Sequence, residues 1–542
     1  MSNTYDAVVI GAGFAGLYAL KKLRDDLGLS VVVYETGDDV GGTWYWNRYP
    51  GARCDAESIY YSYSFDPELD QSWTWSERFA TQPEILAYAQ YVAQRHDLRR
   101  DIRFRTRVVS ATWQEAGSRW EVGLDDGETV SARWVVSAVG CLSAAQVPEF
   151  PGLEEFAGEV YHTGHWPHEG VDFTGKRVAV IGTGSSGIQA IPEIAKQAAH
   201  LTVFQRTPNF SLPARNRPLS EEEIADVKAR YPEIRAQQRQ TAGGSLQAPP
   251  AGKAADLTTE QQRRALEERW AKGGPGYMGT FADCLTDRTA NDIAAEFVRE
   301  RIHEIVEDPE VAALLEPTDY PIGTKRICVD TDYYATFNRD NVTLVSVKDR
   351  PIERITRDGV TVGGDHTVVD VIVFATGYDA MTGPLNRIDI RGKDGLKLRD
   401  KWRDGPRTYL GIASAGFPNL FIVTGPGSPS VLSNMVCAIE QHVEWIAGYV
   451  AKLRADGIAA TEPDRAAEDQ WVGHVNEVAH STLYPQAASW YMGANIPGKP
   501  RIFMPYVGGL NVYGQVCADV AANGYRGFVH TRQHEREEQL TS

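Results

Sequence analysis

The chain has 542 residues, 42% hydrophobic and 23% charged, the balance of an ordinary globular protein but too long for one core, so several domains are expected. A net charge of −17 argues against nucleic acid or an anionic membrane as partner, and no apolar run reaches the ~18 residues of a membrane span. The six cysteines are scattered without a C-x-x-C pair, which argues against a disulfide framework, a zinc site or a dithiol centre and fits a reducing cytoplasm.

A strand pattern begins almost at once, at Tyr5–Ile10, which leaves no room for a signal peptide. It runs into Gly11-Ala12-Gly13-Phe14-Ala15-Gly16, and a helix is predicted over Leu17–Leu27. The next strand, Ser30–Tyr34, ends at Glu35. Strand, glycine turn, helix and terminal acid together read as a dinucleotide site. Gly11 makes the tight turn, Gly13 lets a pyrophosphate approach, and Gly16 lets helix and strand pack. Free N–H groups at the helix start favour the diphosphate, and Glu35 is placed for ribose hydroxyls. A second buried strand, Trp134–Val139, leads to Gly140.

The pattern repeats. Strand Arg177–Ile181 precedes Gly182-Thr183-Gly184-Ser185-Ser186-Gly187, and helix Ile188–Ala195 and strand Leu201–Phe204 follow. Glu35 and Arg206 both lie 24 residues after the first glycine of their motifs, so one slot holds an acid in the first unit and a guanidinium in the second. A carboxylate there repels a 2′-phosphate; Arg206 with Thr207 binds one. The first unit is therefore expected to take FAD and the second NADP(H), which implies electron transfer between two cofactors.

From about residue 210 the composition turns to Glu, Gln, Arg and Ala, with capping boxes at Ser220–Glu223 and Thr258–Gln261 that open helices. The Gly/Pro/Ala-rich stretch 241–256 reads as a mobile loop. The strand Asp370–Phe374 ends in Ala375-Thr376-Gly377, a turn suited to crossing between nucleotide domains. Strand Leu420–Val423, a Gly/Pro turn at 425–429 and an amphipathic helix over Val436–Val450 follow, and the charged tail Thr531–Ser542 is expected to fray. The fold class expected is α/β, with two Rossmann-like units. The FAD-binding domain takes 1–141 and 379–542, the NADP-binding domain 142–208 and 324–378, and a helical insertion 209–323.

Between the two glycine motifs lies Phe156-x-Gly158-x-x-x-His162-x-x-x-Trp166-Pro167, and after the first lie Gly42, Trp44, Tyr49, Pro50, Gly51 and Asp55. These resemble the F-x-G-x-x-x-H-x-x-x-W-P and G-x-W-x-x-x-x-Y-P-G-x-x-x-D patterns of type I Baeyer–Villiger monooxygenases. The resemblance covers about residues 5 to 530 and is strongest toward phenylacetone and steroid monooxygenases. His168 after Trp166-Pro167 departs from the acidic residue of several relatives, and Cys141 stands near the expected flavin.

The resemblance implies conversion of ketones to esters or lactones with NADPH and O2 through a C4a-peroxyflavin. It makes Arg326 the catalytic cation and Asp55 its holder at the cofactor site, a bidentate carboxylate fixing the guanidinium. Lys325 becomes a second 2′-phosphate ligand, Trp490 the tryptophan of a loop that closes over the nicotinamide nucleotide, and Trp44 a neighbour of the flavin. His162 is expected to couple the two nucleotide domains rather than move protons. Ser430 and Val431 match extra residues in phenylacetone and steroid monooxygenases. They place Leu432 and Met435 toward the flavin and favour bulky or aryl ketones. The partners implied are a small ketone and O2, with no nucleic acid and no membrane. The sequence leaves the oligomeric state open, a monomer being compatible with it. An N- or S-oxygenating flavin monooxygenase and a non-catalytic NADP(H)-sensing protein on the same fold remain alternatives.

Overall fold

The computed structural model describes residues 3–532. Among these, the larger sheet has eight strands. Its parallel heart is Thr4–Ile10, flanked by Val31–Tyr34 and by Thr129–Ser137. Ile102–Arg103 extends one side, and Leu420–Ile422 adds to Thr129–Ser137 from far along the chain. The antiparallel strands Arg119–Leu124 and Val108–Gln114 continue the sheet to Asp389–Arg391. The second sheet is parallel throughout, in the order Val342–Ser346, His200–Gln205, Arg177–Ile181, Val371–Phe374, Glu159–His162. Strands such as Val371–Phe374 are apolar end to end because both faces of the sheet are covered.

Each glycine turn feeds a helix, Phe14–Lys21 in the first unit and Ser185–Ala195 in the second. The first helix starts three residues earlier than the sequence predicts and gives way after Lys21 to a wider turn, Lys22–Asp26. The long helix Met435–Ala455 packs across it, and their apolar faces form the largest core of the molecule.

The insertion leaves and re-enters through a short parallel pair, Ser211–Pro213 with Cys328–Asp330. It has its own core, built on Phe210, Tyr277, Phe281, Val298 and Ile322. Both capping boxes form: Ser220 with Glu223 and Thr258 with Gln261. The polar helix Glu221–Gln238 is fastened to the first unit by Arg235, which is buried and donates to Asp70 at 2.7 Å and Ser62 at 2.6 Å. Removing one partner of such a buried pair strands the other charge, a loss of about 3–5 kcal/mol.

Two expectations need correction. The stretch 241–256 is irregular but tied down: Ser245 N–H donates to Thr241 Oγ1, Gln238 Nε2 to the Gly244 carbonyl, and Ala254 N–H to Asp283. Thr531 and Arg532 do not fray, because Phe528–Arg532 pairs antiparallel with Ile458–Pro463; the rest of the tail lies outside the described residues. No helix among the described residues is long and apolar enough to cross a membrane.

Candidate active site

The two glycine turns are built alike. Gly11 and Gly182 take φ of +102° and +109°, which only glycine adopts without strain. A Cβ on Gly11 would press on the Ala138 carbonyl, and one on Gly182 on that of Ala375. A Cβ on Gly16 or Gly187 would strike the carbonyl of Gly11 or Gly182, so the third glycine of each motif is a packing requirement. Gly184, the middle glycine of the second turn, faces open space, while Gly13 lies against Gly42. Helices following Asp66, Ser220, Asp287 and Asp464 are capped by those side chains, yet both glycine-turn helices start uncapped. Two bare helix N-termini beside glycine turns fit the diphosphates of two dinucleotides.

The slots after the second strands differ as the sequence predicts. Glu35 is buried, and its carboxylate accepts from Ala12 N–H at 2.7 Å and Gly37 N–H at 2.8 Å, pinning it beside the first turn. Arg206 is exposed, with no ion pair among the described residues. Thr207 adjoins it, its carbonyl accepting from Thr183 Oγ1. Lys325 approaches the same place from the far end of the insertion, its ammonium 4.4 Å over the Tyr320 ring. Burial, with the Arg206 cation nearby, pushes Lys325 down to about 8. Two cations that make no ion pair among the described residues, with Asp319 acting on Lys325 more weakly than its burial, fit the 2′-phosphate of NADP(H).

The two fingerprint segments act as joints between the sheets. The Tyr49 hydroxyl donates to Gln189 at 2.8 Å, Gln189 Nε2 donates to the Arg53 carbonyl, and Gly51 leaves no room for a side chain against the Gln189 backbone. The loop 49–55 is thus clamped to the helix Ser185–Ala195, and Asp55 at its end reaches Arg326. There the pair is bidentate: Nε donates to Asp55 Oδ2 at 2.8 Å and one terminal nitrogen to Oδ1 at 2.7 Å. The other terminal nitrogen donates to the Val431 carbonyl at 2.6 Å. Burial alone would disfavour the Arg326 cation, but the Asp55 carboxylate outweighs it and holds the guanidinium pKa well above its ordinary value. About a third of the Arg326 side chain stays open, at 34% exposure, so it is held without being sealed.

Around Arg326 lies an apolar, sulfur-rich wall of Cys141, Met381, Val431, Tyr484, Tyr491 and Met504, with Leu432, Met435 and Trp490 partly buried against it. The Tyr491 hydroxyl lies against the Arg326 guanidinium. Sequence reasoning missed Tyr491, although it adjoins Trp490, and the Val431 carbonyl, a backbone group with no side-chain signal. Trp44 is buried and its indole N–H donates to the Tyr61 hydroxyl at 3.2 Å. His162 accepts from Gly164 N–H at Nδ1, so its proton sits on Nε2 and points to the Gln146 carbonyl at 3.2 Å. Burial lowers its pKa to about 4, and the neutral ring joins the linker to the second sheet. His168 packs edge-on to Tyr45 at 4.7 Å, so this departure is one more contact between the two fingerprints.

Two outcomes follow from the phosphate slot. Arg206→Ala raises KM for NADPH about tenfold or more and leaves NADH almost unchanged, since NADH lacks the group that Arg206 meets. Equal losses would make Arg206 merely structural. Lys325 attracts phosphate only when protonated, so KM for NADPH climbs as pH rises through about 8 while that for NADH stays flat. In Lys325→Met the climb disappears; a climb that persists assigns the titration to another group.

A family model for flavin-binding monooxygenase-like proteins matches residues 5–215. A Baeyer-Villiger monooxygenase of Pseudooceanicola batsensis is 44% identical over 538 residues, 98% of this chain and 97% of that protein. A phenazine N-monooxygenase of Lysobacter antibioticus is 42% identical over 528 residues, 97% of each chain. The solved structure of an oxidised steroid monooxygenase bound to NADP matches with a TM-score of 0.93 and 52% identity, over 98% of this chain and 100% of that one. The chain belongs to the Baeyer–Villiger monooxygenase family of flavin-binding oxidoreductases.

Proposed function

We propose that this protein converts ketones to esters or lactones with FAD, NADPH and O2, and that Arg326, held by Asp55, is the cation on which the oxygen transfer depends. The observation that carries this reading is the bidentate Asp55–Arg326 pair with its third anchor on Val431. A guanidinium has five N–H donors, and three are committed here. The other two have no acceptor among the described residues beyond the Tyr491 hydroxyl beside the group, and they suit an oxygen that gains negative charge as the carbonyl is attacked. A fixed donor pays no reorganisation energy when that charge appears.

The flavin, when bound, supplies hydride acceptance and oxygen activation. The chain's own residues hold and enclose it. Gly11, Gly13, Gly16 and the bare helix start at Phe14 receive its diphosphate, and Glu35 stands at the ribose. Gly182, Gly184 and Gly187 do the same for the nicotinamide nucleotide, with Arg206, Thr207 and Lys325 on its 2′-phosphate. Tyr484 and Tyr491 of the apolar wall stand beside the guanidinium and lower the polarity on that side, which strengthens its pull on an anion, while a third of the side chain stays open. Thioether and aromatic walls adapt to bulky ring ketones, the substrate class favoured here. Six free, buried cysteines support a reducing cytoplasm as the compartment.

N-oxygenation of an aromatic heterocycle is a second reading, favoured by the phenazine N-monooxygenase among the relatives. Product analysis on the same enzyme separates the two.

Arg326→Ala leaves NADPH able to reduce the flavin and lowers ester formation by ~10²-fold or more, because hydride delivery does not use this cation. Ester formed at a near wild-type rate would remove Arg326 from the reaction.

A further inference from the structure

The helical insertion does not sit flush on the first unit. A cleft of about 560 Å³ opens between them, walled by residues of 57–60 and 73–78 on one side and of 215–231, Leu246 and Ala271–Lys272 on the other. That is the size of a small-molecule site. None of Trp44, Asp55, Arg206, Lys325 and Arg326 lines it. Tyr61 meets the Trp44 indole, whereas its neighbour Tyr60 lines the cleft.

The walls are aromatic. Tyr60, Trp75 and Tyr231 are nearly buried there. The Tyr60 and Tyr231 hydroxyls make no hydrogen bond among the described residues and are not sealed off from the cleft. Burial pushes both up to about 12, so both stay protonated donors at neutral pH. The helix Glu221–Gln238 is polar, yet it presents Ile224, Val227 and Tyr231 on one face, at i, i+3 and i+7. That face meets the cleft rather than a core, and Ile224 and Val227 are only half-buried.

Five cations and three carboxylates line the cleft, a positive excess in a chain of net charge −17. Most are already engaged. Arg78 commits every donor, to Glu57 and to the carbonyls of Ala214, Lys272 and Gly273. Arg217 clasps Glu223, Lys228 donates to the Gln71 carbonyl and Thr74 Oγ1, and Asp226 pairs with Arg230. Arg215 and Lys272 remain, exposed and without a hydrogen bond or ion pair among the described residues. The fold sets their two stretches against one another. Gly274 N–H donates to the Pro213 carbonyl at 2.9 Å, and a Cβ on Gly273 would strike the Arg215 stem. Arg78 grips both stretches, so two unpaired cations stand together at the rim of an aromatic cleft.

We propose that this cleft binds an organic carboxylate with an aromatic or alicyclic body: Arg215 and Lys272 take the charged end, and Tyr60, Trp75 and Tyr231 enclose the ring. A small anion would leave the aromatic walls unused, and a neutral ring would leave the cations unpaired; a molecule with both parts engages both. One wall belongs to the first unit and the other to the insertion, so the occupant fastens the two together. Such a site is independent of the ketone chemistry at Arg326.

The probe is 2-naphthoate, titrated calorimetrically into the FAD-loaded enzyme saturated with NADP+. One molecule binds per chain. The uncharged 2-naphthamide and the ringless acetate bind about tenfold more weakly or worse. Replacing both rim cations, Arg215→Gln with Lys272→Gln, weakens 2-naphthoate about tenfold or more with FAD content retained, both side chains being exposed. Hydrogen–deuterium exchange slows at 221–231 on binding and is unchanged at 323–326. Absence of binding, equal affinity for the amide, or unchanged affinity in the double variant overturns the proposal. So does protection confined to 323–326, which puts the anion on the Arg326 cation instead. None of these readouts needs turnover, so failure here leaves the ketone-oxidising reading intact.

Discussion

The Asp55–Arg326 pair gathers three remote pieces of the chain: the fingerprint loop at 49–55, the end of the insertion at 323–326, and the turn at 430–432. Its partners are 271 residues apart in sequence. Much of the surrounding architecture serves to make that meeting reliable. Tyr49, Gly51 and Gln189 clamp the loop to the second unit's helix, and the short pair Ser211–Pro213 with Cys328–Asp330 fixes where the insertion returns. A fully buried ion pair costs more desolvation than attraction repays. This one stays partly open, at 34% and 24% exposure, which lowers that cost and leaves the cation accessible.

What the sequence made legible follows from locality. The glycine turns, the offset of Glu35 and Arg206, and the capping boxes are local patterns, each with a physical reason at fixed spacing, and all are present in the structure. The partnership of Asp55 with Arg326 could not be read this way. No periodicity links them, and they came only through a family resemblance. The Val431 carbonyl and the meeting of Arg215 with Lys272 left no signal at all. One is a backbone group, and the other brings together common surface residues from separate parts of the insertion. The ordered strand at Thr531–Arg532 was misjudged for another reason: tertiary pairing overrode local propensity.

The turn at 430–432 also has a larger part than its sequence suggests. It was expected to shape a substrate wall, and Val431, Leu432 and Met435 do line the apolar cluster. Yet Ser430 takes φ of +42°, and the next residue's carbonyl anchors the guanidinium. The apolar cluster and the cation's position therefore share one turn, so a change made there also disturbs the cation.

Asp55 fixes where the Arg326 cation stands. That role is tested most directly by the ratio of ester formed to NADPH consumed in Asp55→Asn, an isosteric change that removes the charge and half of the bidentate clasp. The ratio falls about tenfold or more, with FAD content and flavin reduction by NADPH retained, since a small displacement of a fixed donor costs far more than its contact energy. A ratio equal to that of the wild-type enzyme would contradict it.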